Sequence, residues 1–148
     1  MQSQFMTRAI ELAKQAASQG EVPVGALIVK DGKIIAEGYN QREQKNNALS
    51  HAEIEAINNA CKVLGDWRLD GCTIYVTLEP CPMCTGAIIN SRIDTVIYGA
   101  YDEKGGCMGS LTDLTALPFN HKVSVVGGYM ERQCRELLTS FFEGKRLR

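Results

Sequence analysis

Residues 73–84 read Thr-Ile-Tyr-Val-Thr-Leu-Glu-Pro-Cys-Pro-Met-Cys, and this stretch decides the fold. Its first part, 73–78, is rich in β-branched and aromatic residues and apolar enough to predict a central strand of a sheet. The following Glu-Pro pair ends the strand. A helix is predicted at about 82–91, because proline suits the first turn of a helix. Cys81 and Cys84 therefore lie where a strand gives way to a helix.

The rest of the chain alternates helices and strands around this stretch. In chain order, the sequence predicts a helix at 5–19, strands at 25–30 and 33–39, a helix at about 54–65, a strand at 95–98, a short helix at 111–117, a strand at 122–126 and a final helix at 130–143. Asp31-Gly32 is a strong hairpin signal, so the first two strands should pair antiparallel. The later alternation predicts an α/β layer fold with a partly parallel sheet. Ligands of such sheets bind beyond the carboxyl ends of the strands, which is where the two cysteines fall.

Length and composition limit the class of protein. The 148 residues suit one domain, 1–148, and no linker or repeat divides them. The net charge of -1 does not mark a nucleic-acid binder, although a local basic cluster can suffice for binding. No apolar run is long enough to span a bilayer, and the first residues lack the pattern of a secretory signal. We therefore expect a cytoplasmic protein without a membrane partner.

Cysteine and histidine suggest a metal centre. In an intracellular protein, six cysteines indicate thiols and metal binding rather than disulfides. Cys81 and Cys84 supply two thiolates at metal-binding spacing, and His51 supplies an imidazole. Three protein ligands leave a fourth zinc position open, as in catalytic sites. Glu53, two residues after the histidine, completes the H-x-E…P-C-x-x-C signature of zinc-dependent nucleobase deaminases. Because two thiolates weaken zinc as a Lewis acid, its water needs a base, and Glu53 is the candidate.

Each of these residues also has a structural interpretation. Ser50 and Glu53 form a capping-box pattern, which the tetrapeptide alone would favour. For a lone Cys-x-x-Cys, structural zinc or redox chemistry competes strongly with a catalytic metal site. A closed structural site would need a fourth ligand, and Cys72, Cys107 or His121 could supply one, although none has paired spacing. The co-occurrence of histidine, glutamate and both cysteines at the strand-to-helix position favours the catalytic interpretation.

The chain resembles the bacterial tRNA adenosine deaminases of the cytidine deaminase-like superfamily, nearly end to end. The matching stretches are 21–25 (Glu-Val-Pro-Val-Gly), Asn40, 51–54 (His-Ala-Glu-Ile), 75–84, 98–100, Asp102, Lys104, 109–111, 120–121 and Phe141-Phe142 with the basic residues that follow. The His-x-Glu and Pro-Cys-x-x-Cys motifs specify only the superfamily. The Glu-Pro-Cys-Pro-Met-Cys form and the Phe-Phe-plus-basic end are more specific to the tRNA branch.

This resemblance implies a fold, an activity and partners. The fold is the three-layer α/β/α cytidine deaminase-like fold, with a mixed five-stranded sheet and helices on both faces. The activity is zinc-dependent hydrolytic deamination of the wobble adenosine to inosine in a tRNA anticodon loop, with release of ammonia. The protein would be a homodimer with one Zn²⁺ per subunit, and its partner would be the tRNA anticodon stem-loop.

The resemblance also implies roles for individual residues. Zinc would be bound by His51, Cys81 and Cys84, and Glu53 would shuttle protons. Asn40 would contact the flipped nucleotide, and a groove for neighbouring nucleotides would be lined by Val22, Pro23, Asp102 and Lys104. The anticodon loop would be held by Phe142, Lys145 and Arg146. Asn40 could instead make a turn, and Asp102 and Lys104 could be a solvated pair. The basic end, on charge alone, reads as a solubilising tail. Phe141 and Phe142 cannot both face the core, so one of them is free to stack on a base.

Two other functions compete with this interpretation. A deaminase of a small nucleoside or base would keep the same chemistry but would not need the Phe-Phe pair or the basic end. A zinc-stabilised RNA-binding or interaction module without catalysis would not need Glu53 beside the ligands.

Overall fold

The computed structural model describes the backbone of residues 1–146 and the side chains of residues 1–145. The helices are α1 (Ser3–Ser18), α2 (Ala52–Leu64), α3 (Pro82–Asn90) and α4 (Glu131–Arg146). The strands are β1 (Gly25–Lys30), β2 (Lys33–Tyr39), β3 (Cys72–Leu78), β4 (Thr95–Ala100) and β5 (Ser124–Val126). The first two strands have the predicted bounds.

The five strands form one mixed sheet in the order β2-β1-β3-β4-β5. Strand β1 runs antiparallel to both of its neighbours, and β3, β4 and β5 run parallel to one another. The predicted hairpin forms between β1 and β2, where Asp31 and Gly32 have φ values of 51° and 75°. Positive φ at both positions is what a type I′ hairpin turn requires. The sequence prediction of a partly parallel sheet is confirmed.

Helices cover both faces of the sheet, and each face has its own apolar core. On one face, α2 and α3 pack on buried residues that include Ile28, Ile74 and Val96. On the other face, α1 and α4 pack on residues that include Leu27, Tyr75 and Ile97. Neighbouring strand residues contribute to opposite faces because side chains alternate across a sheet. The predicted three-layer α/β/α fold is confirmed. Among residues 1–146, no helix combines the length and apolarity needed to cross a bilayer.

The segment before the last strand differs from the prediction. Residues 111–117 form no α-helix, and only a 3₁₀ turn at Leu114–Ala116 is present. The Asp113 side chain accepts a hydrogen bond from the backbone N–H of Thr115, so a local side-chain bond replaces helical propagation. Strand β5 is also shorter than predicted, because Ser124 pairs with Thr95 at the very start of β4. Residues 122–123 therefore have no strand residue to pair with.

Two helix starts also differ from the prediction. Helix α2 begins at Ala52, two residues earlier than predicted, so Glu53 lies inside its first turn. Helix α4 begins at Glu131, because Met130 has a φ of 53°, which a right-handed helix cannot accommodate. Because α2 begins at Ala52, the predicted base Glu53 lies on a helix, two residues after the predicted metal ligand His51.

Candidate active site

Two helix N-termini bring the three predicted metal ligands together. His51 is the N-cap residue of α2, and Cys81 is the N-cap residue of α3, with Pro82 following it in the first turn. Cys84 is buried one turn further along α3. The His51 Nδ1 atom lies 3.6 Å from the Cys81 sulfur and 3.5 Å from the Cys84 sulfur. All three ligand atoms lie within 4.8 Å of one another.

These distances fit a zinc ion. Zinc–sulfur and zinc–nitrogen bonds of about 2.3 and 2.05 Å at a tetrahedral angle place sulfur and nitrogen about 3.6 Å apart. Among the described residues, no further histidine, cysteine or carboxylate joins the group. His121, one of the considered fourth ligands, has its Nε2 atom 2.7 Å from the carbonyl oxygen of Ile93. The donor set is therefore that of a site with three protein ligands, as catalytic zinc requires.

The two thiols have very different affinities for a proton. Hydrogen bonds from Cys84 and His51 lower the pKa of the Cys81 thiol to about 4, against the opposing effect of burial. The same bond to Cys81, together with burial, raises the pKa of Cys84. The hydrogen bond to Cys81 also raises the pKa of His51. The Cys84 thiol thus holds its proton more tightly than the Cys81 thiol, and a metal ion bound to both sulfurs would displace it.

Glu53 lies beside this group as a buried carboxyl, 4% exposed. Burial raises its pKa to about 7, and the neighbouring Cys81 charge acts in the same direction. A carboxyl with a pKa near neutrality can both accept and donate a proton. The capping-box alternative is wrong, because the N-cap residue is His51 and the helix has no side-chain cap hydrogen bond.

Helix α2 reaches this position because it packs very closely on β2. A Cβ atom at Gly38 would lie 2.5 Å from the carbonyl oxygen of Ala52 and 2.6 Å from the backbone nitrogen of Ala56. Such distances are shorter than any real contact, so only glycine allows this approach. The first turn of α2, with His51 and Glu53, is therefore held against the sheet by backbone contact.

A pocket of about 150 Å³ opens above the metal group. Its lining residues are Val22, Val24, Asn40, Arg42, His51, Ala52, Glu53, Leu78, Glu79, Cys81 and Asp102. It is smaller than the roughly 300–1,000 Å³ of common small-molecule sites, which suits a single base. Asn40 is buried; its Nδ2 donates to the Val22 carbonyl oxygen at 3.3 Å, and its Oδ1 accepts from the Arg42 backbone N–H at 3.3 Å. Its amide is therefore held in one orientation.

A groove of about 1390 Å³ adjoins this pocket and shares Val22, Leu78 and Asp102 with it. One wall is the loop after β4, with Asp102 and Lys104. The other wall is a stripe on α4 at spacings of four and three residues: Glu131, Arg135, Leu138, Phe142 and Lys145. Residues at this spacing lie on one face of a helix. The small pocket therefore opens into a long, partly charged channel.

The adjacent phenylalanines lie on different faces of α4. Phe142 is 45% exposed and lines the groove. Phe141 is partly buried and lines a separate depression between α1 and α4. Its ring lies 4.9 Å from the ammonium group of Lys145. Of the two, Phe142 is thus the ring available for stacking in the groove.

The structure gathers most of the predicted substrate-contacting residues along this path. Val22, Asn40, Asp102, Lys104, Phe142 and Lys145 line the pocket or the groove. Pro23 is buried and lines the depression between α1 and α4 instead, so it is not brought to the groove. The side chain of Arg146 lies outside the described part of the chain.

Sequence reasoning missed several lining residues. Arg42 and Glu79 border the pocket, and Tyr101, Ser110, Glu131, Arg135 and Leu138 border the groove. The α4 residues were detectable, since counting back from Phe142 by four and three residues reaches each of them. The other residues lie in loops, where no periodicity marks them.

Comparisons with known proteins agree with this geometry. The model of the MafB19-like deaminase family matches residues 1–146. A tRNA-specific adenosine deaminase of Bacillus subtilis (strain 168) is 50% identical over 139 residues, 93% of this chain and 86% of that protein. A solved structure from a study of A-to-I editing by tRNA:A34 deaminases at the wobble position of transfer RNA superposes with a TM-score of 0.88. It is 40% identical and covers 93% of this chain and 100% of its own.

A second solved structure is that of a differently named deaminase, and it matches a smaller part of the chain. It is a guanine deaminase of Bacillus subtilis with a TM-score of 0.66 and 48% identity. The match covers 68% of this chain and 65% of that one.

Proposed function

Because the chain belongs to the family of tRNA-specific adenosine deaminases, we propose that it hydrolyses the wobble adenosine of a tRNA anticodon loop to inosine and ammonia. The observation that carries the proposal is the continuity of the site. A buried carboxyl and a three-ligand metal group lie at the end of a base-sized pocket, and that pocket opens into a groove long enough for flanking nucleotides.

His51, Cys81 and Cys84 would hold one Zn²⁺ per subunit. When bound, zinc supplies a Lewis acid that lowers the pKa of water. The thiolate form that this ligation needs is favoured at Cys81 by the N-terminus of α3, and a bound metal ion would favour it at Cys84 as well. His51 presents Nδ1 to the sulfurs, so its Nε2 atom points away from the ligand group.

Glu53 moves the protons of the reaction. Its carboxylate takes one proton from the attacking water and gives it to the purine ring nitrogen beside the reacting carbon. The oxygen then bonds to that carbon. Glu53 takes the remaining proton of the former water and gives it to the departing amino group, which leaves as ammonia. Burial suits both steps, because it raises the pKa of this carboxyl to about 7.

Asn40 and Val22 would orient the base. One N–H of the Asn40 amide is used by the Val22 carbonyl oxygen, and the second remains for the nucleotide in the pocket. An adenosine inside a loop must leave its stack to enter so small a pocket, as enzymes that act on bases require.

The groove would hold the nucleotides on either side. Phe142 offers an exposed ring for stacking, as aromatic side chains do in the recognition of single-stranded RNA. Lys104 and Lys145 offer cations to phosphates, with Arg146 following in sequence, and Asp102 lies where the groove meets the pocket. From the resemblance, we also propose that the protein is cytoplasmic and forms a homodimer, and that each subunit consists of one domain.

The experiment is a deamination assay with several substrates. Zinc-loaded protein, with its metal content measured, is incubated with an anticodon stem-loop carrying a wobble adenosine, and separately with adenosine, cytidine and guanine. Products are identified by mass spectrometry. We expect inosine in the stem-loop alone, and none in a stem-loop with guanosine at the wobble position. Turnover of guanine without turnover of the stem-loop would overturn the proposal in favour of a small-base deaminase.

A further inference from the structure

Glu79 is a buried carboxyl that the proposed chemistry does not use. It is 2% exposed and takes part in none of the ion pairs among the described residues. Its carboxylate instead accepts hydrogen bonds from the backbone N–H groups of Asp102 at 3.1 Å, Met108 at 3.1 Å and Ser110 at 3.0 Å, and from the Ser110 hydroxyl. A buried charge is tolerated only when donors of this kind satisfy it.

All of these donors belong to the loop 102–110, which closes around the carboxylate. The Cys107 backbone N–H also donates to the Pro80 carbonyl oxygen at 2.9 Å. A Cβ atom at Gly106 would lie 2.3 Å from the carboxyl carbon of Glu79, so only glycine lets the loop come this close. The loop is therefore built on Glu79 and on the residue that precedes the metal ligand Cys81.

This loop is also one wall of the substrate path. Asp102 borders both the small pocket and the groove. Its backbone N–H is held by Glu79, and its own carboxylate accepts from the backbone N–H groups of Lys104 at 3.2 Å and Gly105 at 3.1 Å. The Glu79 carboxylate thus fixes the loop 102–110 relative to β3, the strand that precedes the metal ligand Cys81.

We propose that Glu79 is a positioning residue that sets the affinity of this site for its RNA substrate by fixing the loop 102–110. The inference rests on the proposed function for the identity of the substrate. Glu79 borders the pocket, but both of its carboxylate oxygens accept hydrogen bonds from the loop, and among the described residues it bonds neither the ligand atoms nor Glu53. Its effect therefore reaches the substrate through the loop wall.

The test is Glu79→Gln. The amide keeps the size of the carboxyl but places an NH₂ group against the N–H donors of the loop. We expect the variant to retain one zinc per chain, with KM for the stem-loop at least tenfold higher and kcat within threefold of wild type. Loss of folded protein alone would lower kcat and leave KM unchanged, and that result would overturn the proposal. The proposal would also be overturned if amide exchange at 102–110 became faster while KM stayed unchanged, because the loop would then be loosened without any effect on affinity.

Two further variants keep the test decisive. Ser110→Ala removes one donor and leaves the carboxylate, so it should raise KM about threefold even if Glu79→Gln fails to fold; no change in KM would overturn the proposal. Glu21→Gln is the matched control, because Glu21 is 1% exposed and accepts from the backbone N–H groups of Glu43 at 3.1 Å and Gln44 at 2.8 Å.

Hydrogen exchange separates this inference from the proposed function. We expect Glu79→Gln to speed amide exchange at 102–110 and Glu21→Gln to speed it at 43–44 only. Equal acceleration of 102–110 in both variants would overturn the role of Glu79. If wild-type protein makes no inosine from the stem-loop, the proposed function fails, while the exchange data still decide whether Glu79 fixes the wall.

Discussion

Glu53 lines the small pocket and Phe142 lines the groove that adjoins it, yet the first residue is 4% exposed and the second 45% exposed. Glu53 belongs to a centre formed by two short stretches, 51–53 and 79–84, at the starts of two helices that pack on the same face of the sheet. Phe142 belongs to a groove formed by a loop and by one face of the last helix. The centre is buried and its residues belong to two short motifs, while the groove is open and its residues are spread along a loop and one face of a helix.

Because of this difference, we expect the centre and the groove to control different kinetic quantities. In the buried centre, burial itself shifts the pKa of Glu53, so the environment is part of the chemistry. In the groove, the side chains of Lys104, Arg135 and Lys145 are exposed, and they can act only by contact with substrate. Substitutions in the centre should therefore change turnover, and substitutions in the groove should change affinity.

Glu53→Gln should have the largest effect on turnover. The amide keeps the shape of the side chain but cannot carry protons, so we expect kcat for the stem-loop to fall by about 10²–10⁴. Zinc content and the Kd for the stem-loop should stay within twofold of wild type. Glu55→Gln is the control, since Glu55 lies in the same first turn but pairs with Lys45 outside the pocket. Activity of Glu53→Gln within tenfold of wild type would contradict its role as the proton shuttle.

Phe142→Ala and Phe141→Ala should have different consequences. Loss of a stacking ring costs about 1–3 kcal/mol, so Phe142→Ala should weaken stem-loop binding roughly 5- to 150-fold with little change in Tm. Phe141 is partly buried against α1, so Phe141→Ala should lower Tm and affect binding less. Binding by fluorescence anisotropy and melting by calorimetry measure the two effects. If both variants weaken binding equally, the assignment of Phe141 to the depression between α1 and α4 and of Phe142 to the groove fails.

The sequence was sufficient to predict the centre because its residues fall into two short motifs. Cys81 and Cys84 are three residues apart, and His51 lies two residues before Glu53, each pair at the start of a helix. The two motifs are 30 residues apart in the chain, and the packing of α2 and α3 on one face of the sheet brings them together. The capping-box alternative failed for a local reason. The sequence does not reveal that the chain enters α2 at His51 rather than at Ser50.

The groove and the pocket rim were only partly predictable, because the loop residues that line them belong to no motif of fixed spacing. The predicted contacts included Pro23, which lies next to Val22 but lines the depression between α1 and α4 instead of the groove. Adjacent residues of an extended segment point in opposite directions, so naming both as groove residues could not hold for that turn. Glu79 stood in the quoted motif, yet its role depends on which loop amides reach it, and no spacing rule encodes that.

Lys145→Ala should have the smallest effect on stem-loop binding. We expect that effect to be visible in the salt dependence of the binding constant. Lys145 lines the groove, so losing one cation near a phosphate should reduce the slope of log K against log salt by about 0.7 for single-stranded RNA. Lys14→Ala is the matched control, because it removes the same charge from the depression between α1 and α4, away from the groove. Titrations at several salt concentrations should leave the Lys14→Ala slope at the wild-type value. If both variants reduce the slope equally, RNA is attracted by the field of the whole molecule, and the groove has no defined phosphate contact at Lys145.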